Sequence, residues 1–126
     1  MNATMCRAEE GLSLVEPHPL NGITELATIT EAAKFLARYR VGAAGVYSTD
    51  AHRLLGIVTE RDITSAVAEG RDPDRTCVVE IMSSDLVTAD APLTLDEARS
   101  LMENAHVRHL IVRREGGDHI VSLRDV

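Results

Sequence analysis

Two stretches of this chain repeat each other at a fixed distance, and that repeat limits the folds open to it. Leu55-Gly56-Ile57-Val58-Thr59-Glu60-Arg61-Asp62-Ile63 runs apolar into a threonine and opens an amphipathic segment with a carboxylate three residues on. His119-Ile120-Val121-Ser122-Leu123-Arg124-Asp125-Val126 follows the same plan 63 residues later. It aligns Thr59 with Ser122, Arg61 with Arg124 and Asp62 with Asp125. Upstream, Thr28 with Glu31 and Thr94 with Glu97 are matching capping-box pairs 66 residues apart. The change of offset places a three-residue shortening in the second hairpin turn, where length differences are tolerated. A chain of 126 residues is too short for two independent domains, so the two copies are expected to form one globular module.

Each copy reads as strand, helix, strand, strand. In the first, Ile29, Ala32, Ala33 and Leu36 form one apolar face, widened by Phe35 and Tyr39, which predicts a helix over 29–40. Val41 to Tyr47 and Leu54 to Val58 read as strands flanking a polar turn, and a helix runs from Arg61 to Gly70. Asp72-Pro73-Asp74 is a turn or linker. In the second, Leu86 to Ala89 is a short strand. Leu95, Ala98, Leu101, Met102 and Ala105 line a helix, and Val107 to Val112 and Ile120-Val121 are strands about Glu115-Gly116-Gly117-Asp118. The fold class is α/β: two βαββ(α)-type repeats with small mixed sheets, packed about a pseudo-twofold axis that buries both open faces. The boundaries are 1–19 for an N-terminal extension, 20–72 for the first repeat and 73–126 for the second. Met5, Ala8, Leu12 and Val15 predict a short helix near 4–14, placed to cover the second repeat's sheet in lieu of a final helix.

Composition removes several function classes. A formal charge of −7 argues against a nucleic-acid partner, whose phosphates need a dense positive face. Two cysteines, Cys6 and Cys77, are too few and too far apart for a disulfide framework or a zinc site. No apolar run approaches a membrane span and residues 1–10 carry no signal-peptide core, so a cytoplasmic protein without membrane contact is expected. His106, His109 and His119 lack a Glu or Cys spaced as a further metal ligand, and no nucleophile–base arrangement has supporting context. The reading is neither an enzyme nor a metal protein.

These motifs together resemble a tandem pair of cystathionine-β-synthase (CBS) domains. The resemblance rests on Val41-Gly42-Ala43, the 55–63 stretch, Ile81-Met82, Thr94-Leu95-Asp96-Glu97-Ala98 and Val107-Arg108-His109-Leu110, and spans roughly residues 20–126. It implies a regulatory, signal-transducing module that binds an adenosine-containing ligand (AMP, ADP, ATP, NAD or S-adenosylmethionine) in a cleft between repeats, and that pairs as a homodimer. It nominates Thr59 and Ser122 for phosphate, Asp62 and Asp125 for ribose hydroxyls, Ile57 and Ile120 beside the base, and Arg108 and His109 for phosphate. The downstream protein partner is not specified. Three features depart from the family pattern. No strand is evident in Pro17-His18-Pro19-Leu20-Asn21-Gly22, Gly56 is matched by His119, and the sequence stops where the family begins its last helix.

The residues themselves leave the choice open. A strand-to-helix junction offers amides and a positive dipole end to phosphate, yet Thr-x-x-Asp is also a plain helix N-cap. Arg108 can pair with a phosphate or sit solvated near a helix C-terminus. The alternative to a ligand sensor is a ligandless dimerisation or protein-interaction module.

Overall fold

The computed structural model describes residues 13–50 and 52–125, so the expected helix at 4–14 falls almost wholly outside the described residues. Leu14 is described, and it is extended, bridged to Thr94. The chain divides into two compact units, one of residues 21–86 and one of residues 13–20 with 87–125.

The first unit carries a three-stranded sheet in the order β2-β3-β4, from β2 (Gly22–Thr24), β3 (Ala43–Tyr47) and β4 (Leu54–Thr59). β2 runs parallel to β3, and β3 antiparallel to β4. Between β2 and β3 lies α1 (Ile29–Tyr39), and β4 leads directly into α2 (Glu60–Ala68). α1 starts where the sequence places it. The Thr28 hydroxyl accepts the Glu31 amide at 3.1 Å, and the Glu31 carboxylate accepts the Thr28 amide at 3.2 Å. It ends at Arg40, which takes the left-handed conformation at φ 53°. Ala32 and Leu36 from α1, Ala44 and Val46 from β3, Val58 from β4 and Val78 form the core, with Phe35 and Ile63 against it. With so few aromatics, small and branched aliphatic side chains carry this burial.

The second unit carries a four-stranded sheet in the order β1-β7-β6-β5. Its strands are β1 (His18–Pro19), β5 (Thr88–Asp90), β6 (His109–Arg114) and β7 (Gly117–Ser122), with α3 (Leu95–Ala105) after β5. The Thr94–Glu97 capping box forms as expected. The two hydrogen bonds to Thr94 hold the Glu97 carboxyl below the usual carboxylate range. α3 also ends in a left-handed residue, His106 at φ 56°, which places this histidine as a helix cap. Met102 and Ala98 from α3 meet Leu110, Val112 and Val121 from the sheet. Because strand side chains alternate, His109, Ile111, Ile120 and Ser122 occupy the sheet face away from α3.

Residues 17–22, where no strand was evident, hold β1 and the first residue of β2. β2 has only three residues, too few for alternation to register even though Ile23 and Thr24 are β-branched. It is held by pairing with β3, a contact distant in sequence.

The segments that precede the two repeats are exchanged. Ahead of the second repeat, the Val78 amide donates to the Ala27 carbonyl at 2.8 Å, and the Ile29 amide to Thr76 at 3.0 Å. Ahead of the first, the Val15 amide donates to Leu93 at 2.7 Å, and the Leu95 amide to Ser13 at 3.0 Å. These are the same bonds at the repeat offsets, each made to the other copy. Val15 packs against the second core, so the expected cover for that sheet is supplied in part by an extended segment.

Candidate functional site

β4 delivers Thr59 to the start of α2, and the junction closes on itself. The Asp62 amide donates to the Thr59 hydroxyl at 3.2 Å, and the Thr59 amide donates to Asp62 Oδ2 at 2.9 Å. The Glu60 amide is also taken, by the Gly42 carbonyl at 3.0 Å. Three amides expected to face a phosphate are therefore engaged within the protein. The Arg61 amide, the proton of the Thr59 hydroxyl and the second oxygen of Asp62, Oδ1, are not among the groups engaged; Thr59 and Asp62 are both half-buried. A hydroxyl donor beside a carboxylate acceptor suits vicinal hydroxyls better than an anion.

Ile57 stands two residues back on β4 and is only 6% exposed. Its amide and carbonyl both pair with Ser83 at 2.9 Å. Gly56 serves that same contact. A Cβ there would run into the Ser83 carbonyl and come within 2.8 Å of Met82 Sδ. The glycine of the motif thus makes room for the 82–83 backbone of its own unit. The Ile81-Met82 motif belongs with this wall.

The remaining candidates gather in the second unit. His109 is directly opposite Ser122 in the β6–β7 register, as Ala43 is opposite Thr59 in β3–β4. Ile120 lies opposite Ile111 on one side and His18 on the other. Arg108 is exposed, and its carbonyl accepts the Leu123 amide at 2.8 Å, the counterpart of the Gly42–Glu60 bond. Ser122 leads into a single 3-10 turn (Leu123–Asp125), and its hydroxyl accepts the Arg124 amide at 3.3 Å. Ile57, Thr59 and Asp62 thus form one group. Arg108, His109, Ile120 and Ser122 form another, with Asp125 three residues past Ser122.

Sequence reasoning passed over two things here. Arg124 sits beside Ser122 and Arg108, and Gly42-Ala43 occupies the first repeat's equivalent of Arg108-His109. The 63- and 66-residue offsets, applied to every position around the motif, would have found both.

Comparison with known proteins agrees with this geometry. The sequence matches the CBS domain family over residues 18–69 and again over 78–126. It is 38% identical over 101 residues to the CBS domain-containing protein YhcV of Bacillus subtilis, covering 79% of this chain and 70% of that one. The CBS domain protein PAE2072 from Pyrobaculum aerophilum, complexed with AMP, superimposes with a TM-score of 0.72 at 33% identity, over 89% of this chain and 85% of that one. A putative signal-transduction protein with CBS domains from Burkholderia ambifaria superimposes with a TM-score of 0.73 at 30% identity, over 86% and 80%. The family match, the doubled motif and the two sheets built on the same plan lead to one conclusion: this chain belongs to the CBS domain family and carries two copies in tandem.

Proposed function

We propose that the chain is a non-catalytic regulatory module that senses an adenosine-containing nucleotide. The observation that carries this is the β4–α2 junction, where the Thr59 hydroxyl proton and Asp62 Oδ1 are left over after the capping box is complete. A carboxylate that accepts sugar hydroxyls is the standard acidic contact to ribose. That PAE2072 is complexed with AMP supports this ligand class, and the Burkholderia ambifaria relative supports a signalling role. On this reading AMP, ADP, ATP, NAD and S-adenosylmethionine are the ligands to test, and the protein works in the cytoplasm. Among the described residues no helix is long and apolar enough to cross a membrane.

The ligandless reading has its own support, since the capping box already satisfies Thr59 and Asp62 as a helix start. A melt with and without each of the five ligands separates the two. A ligand that binds the folded state at 100 times its Kd adds about 2.7 kcal/mol, which shifts the midpoint by roughly 10 °C in a chain of this size. No shift with any of the five favours the ligandless module.

The module is proposed to act as a homodimer. A groove of about 250 Å3 runs between α1 and α2, lined by Ala33, Leu36, Ala37, Glu60, Ile63 and Thr64. On these helices Tyr39 and Val67 are about half exposed. Twofold pairing is the commonest way to bury such a face. Light scattering at high micromolar concentration is expected to give twice the chain mass; a monomer would count against the pairing.

A further inference from the structure

Each unit is completed by an extended segment from ahead of a repeat, and the two segments are held very differently. Residues 76–83 are locked into the first unit. Val78 is fully buried, and Ile81 and Met82 pack against the same core. The Ser83 amide and carbonyl both bond Ile57 at 2.9 Å. Just ahead, the Thr30 hydroxyl donates to Asp74 at 2.6 Å and the Thr30 amide to the Pro73 carbonyl at 3.1 Å. Residues 13–20 hold the second unit more lightly. Among the described residues, half-buried Val15 is the one apolar side chain of this segment against the second core. Leu14 is 60% exposed, and both residues of β1 are exposed. Opposite Ile120, His18 takes the place that Ser83 has opposite Ile57. The route from Val15 to His18 is shorter than that from Val78 to Ser83, so Ile81 and Met82 have no counterparts.

We propose that residues 13–20 form a strap that opens from the second unit while the rest of that unit stays folded, and that this opening gates the β7 edge at Ile120. The free energy of a local opening follows the apolar surface it exposes, so a segment with one half-buried anchor lifts far more often than one held by Val78, Ile81 and Met82. Bonded pairs recur at every second residue of an antiparallel ladder, so the Leu20–Asp118 bond puts His18 and Ile120 in hydrogen-bonding phase. Cross-strand partners share a face, which places His18 on the face that carries Ile120 and Ser122. Lifting the strap takes His18 off that face and frees the Ile120 amide. The Val121 amide stays paired, because Val121 lies opposite Leu110 on β6. The second candidate group therefore has a strapped and an open state. The first has one state, since Ser83 is fixed opposite Ile57.

The test is amide hydrogen exchange on the full chain, followed by NMR at urea concentrations below the unfolding transition. The Val15, Leu20 and Ile120 amides are expected to exchange together, about a hundredfold or more faster than that of Val121. Their rates should hardly change with urea, because the opening exposes little surface. The Val121, Val78 and Ser83 amides should instead speed up steeply, as groups released only by unfolding of their units. Val15→Ala should speed exchange at Leu20 and Ile120 about fivefold, because both ends of the strap lift as one. Exchange of Val15 and Leu20 at the rate and urea dependence of Val121 overturns the strap. A fast strap with Ile120 as slow as Val121 overturns the gate. Leu20 and Ile120 rates unmoved by Val15→Ala overturn the single opening that joins them.

Discussion

Gly56→Ala is expected to destabilise the protein by about 2 kcal/mol, within the usual range for overpacking, and to lower its melting temperature by roughly 8 °C. Elsewhere this substitution tends to stabilise by about 0.4–1 kcal/mol, because alanine has less unfolded-state entropy to lose. Here the sign reverses. The new methyl group meets the Ser83 carbonyl and lies 2.8 Å from Met82 Sδ. The thioether can swing away, but the carbonyl cannot move without loosening both Ile57–Ser83 hydrogen bonds, each 2.9 Å. Gly42→Ala is the control. Nothing lies within 4 Å of a Cβ at that position, so its stability should stay close to that of the parent. Thermal melts of both variants check the pair, and an unchanged or raised midpoint for Gly56→Ala would show that the 82–83 segment does not wall β4.

Asp62→Ala is expected to weaken an adenosine nucleotide by about 1–3 kcal/mol, or roughly five- to 150-fold, because ribose hydroxyls lose a half-buried acceptor. The same change removes one half of the capping box, at about 1 kcal/mol of stability. Asp62→Asn separates the two effects. Its side-chain oxygen still accepts the Thr59 amide, so stability should recover while affinity stays reduced. Asp125→Ala should change affinity little, since Ser122 leads only into a single 3-10 turn, whereas Thr59 heads the nine residues of α2. Calorimetry beside melting curves decides it; the reverse order would place the sugar contact in the second repeat.

The parts of this structure that were legible in the sequence are those that local chemistry writes. Thr28 with Glu31 and Thr94 with Glu97 announce helix starts within four residues, and the apolar spacing behind each needs no knowledge of the rest of the chain. β1 and β2 could not be read that way. They have two and three residues, include Pro19 and Gly22, and exist only because β7 and β3 pair with them. The exchange of the segments before each repeat is equally silent. Val15 and Val78 occupy matching positions, but which core each serves is decided by tertiary packing.

The candidate site was legible in its residues and misread in part of its physics. Thr59 and Asp62 are where the motif puts them, but the Glu60 and Asp62 amides at the helix start are spent on Gly42 and on the capping box itself. The space at Gly56 is taken by Ser83 and Met82. The Gly42 and Ser83 contacts come from segments distant in the chain, which no local pattern encodes, whereas the capping box is local and its Thr-x-x-Asp spacing is visible in the sequence.

The central claim is that this tandem CBS module binds an adenosine nucleotide, and titration of AMP into the full chain by calorimetry tests it most directly. The account predicts saturable heat that Asp62→Ala and Asp62→Asn both diminish while each variant remains folded. Absence of binding by AMP, and equally by ADP, ATP, NAD and S-adenosylmethionine, up to about 1 mM, where a complex is worth only about 4 kcal/mol, would contradict it.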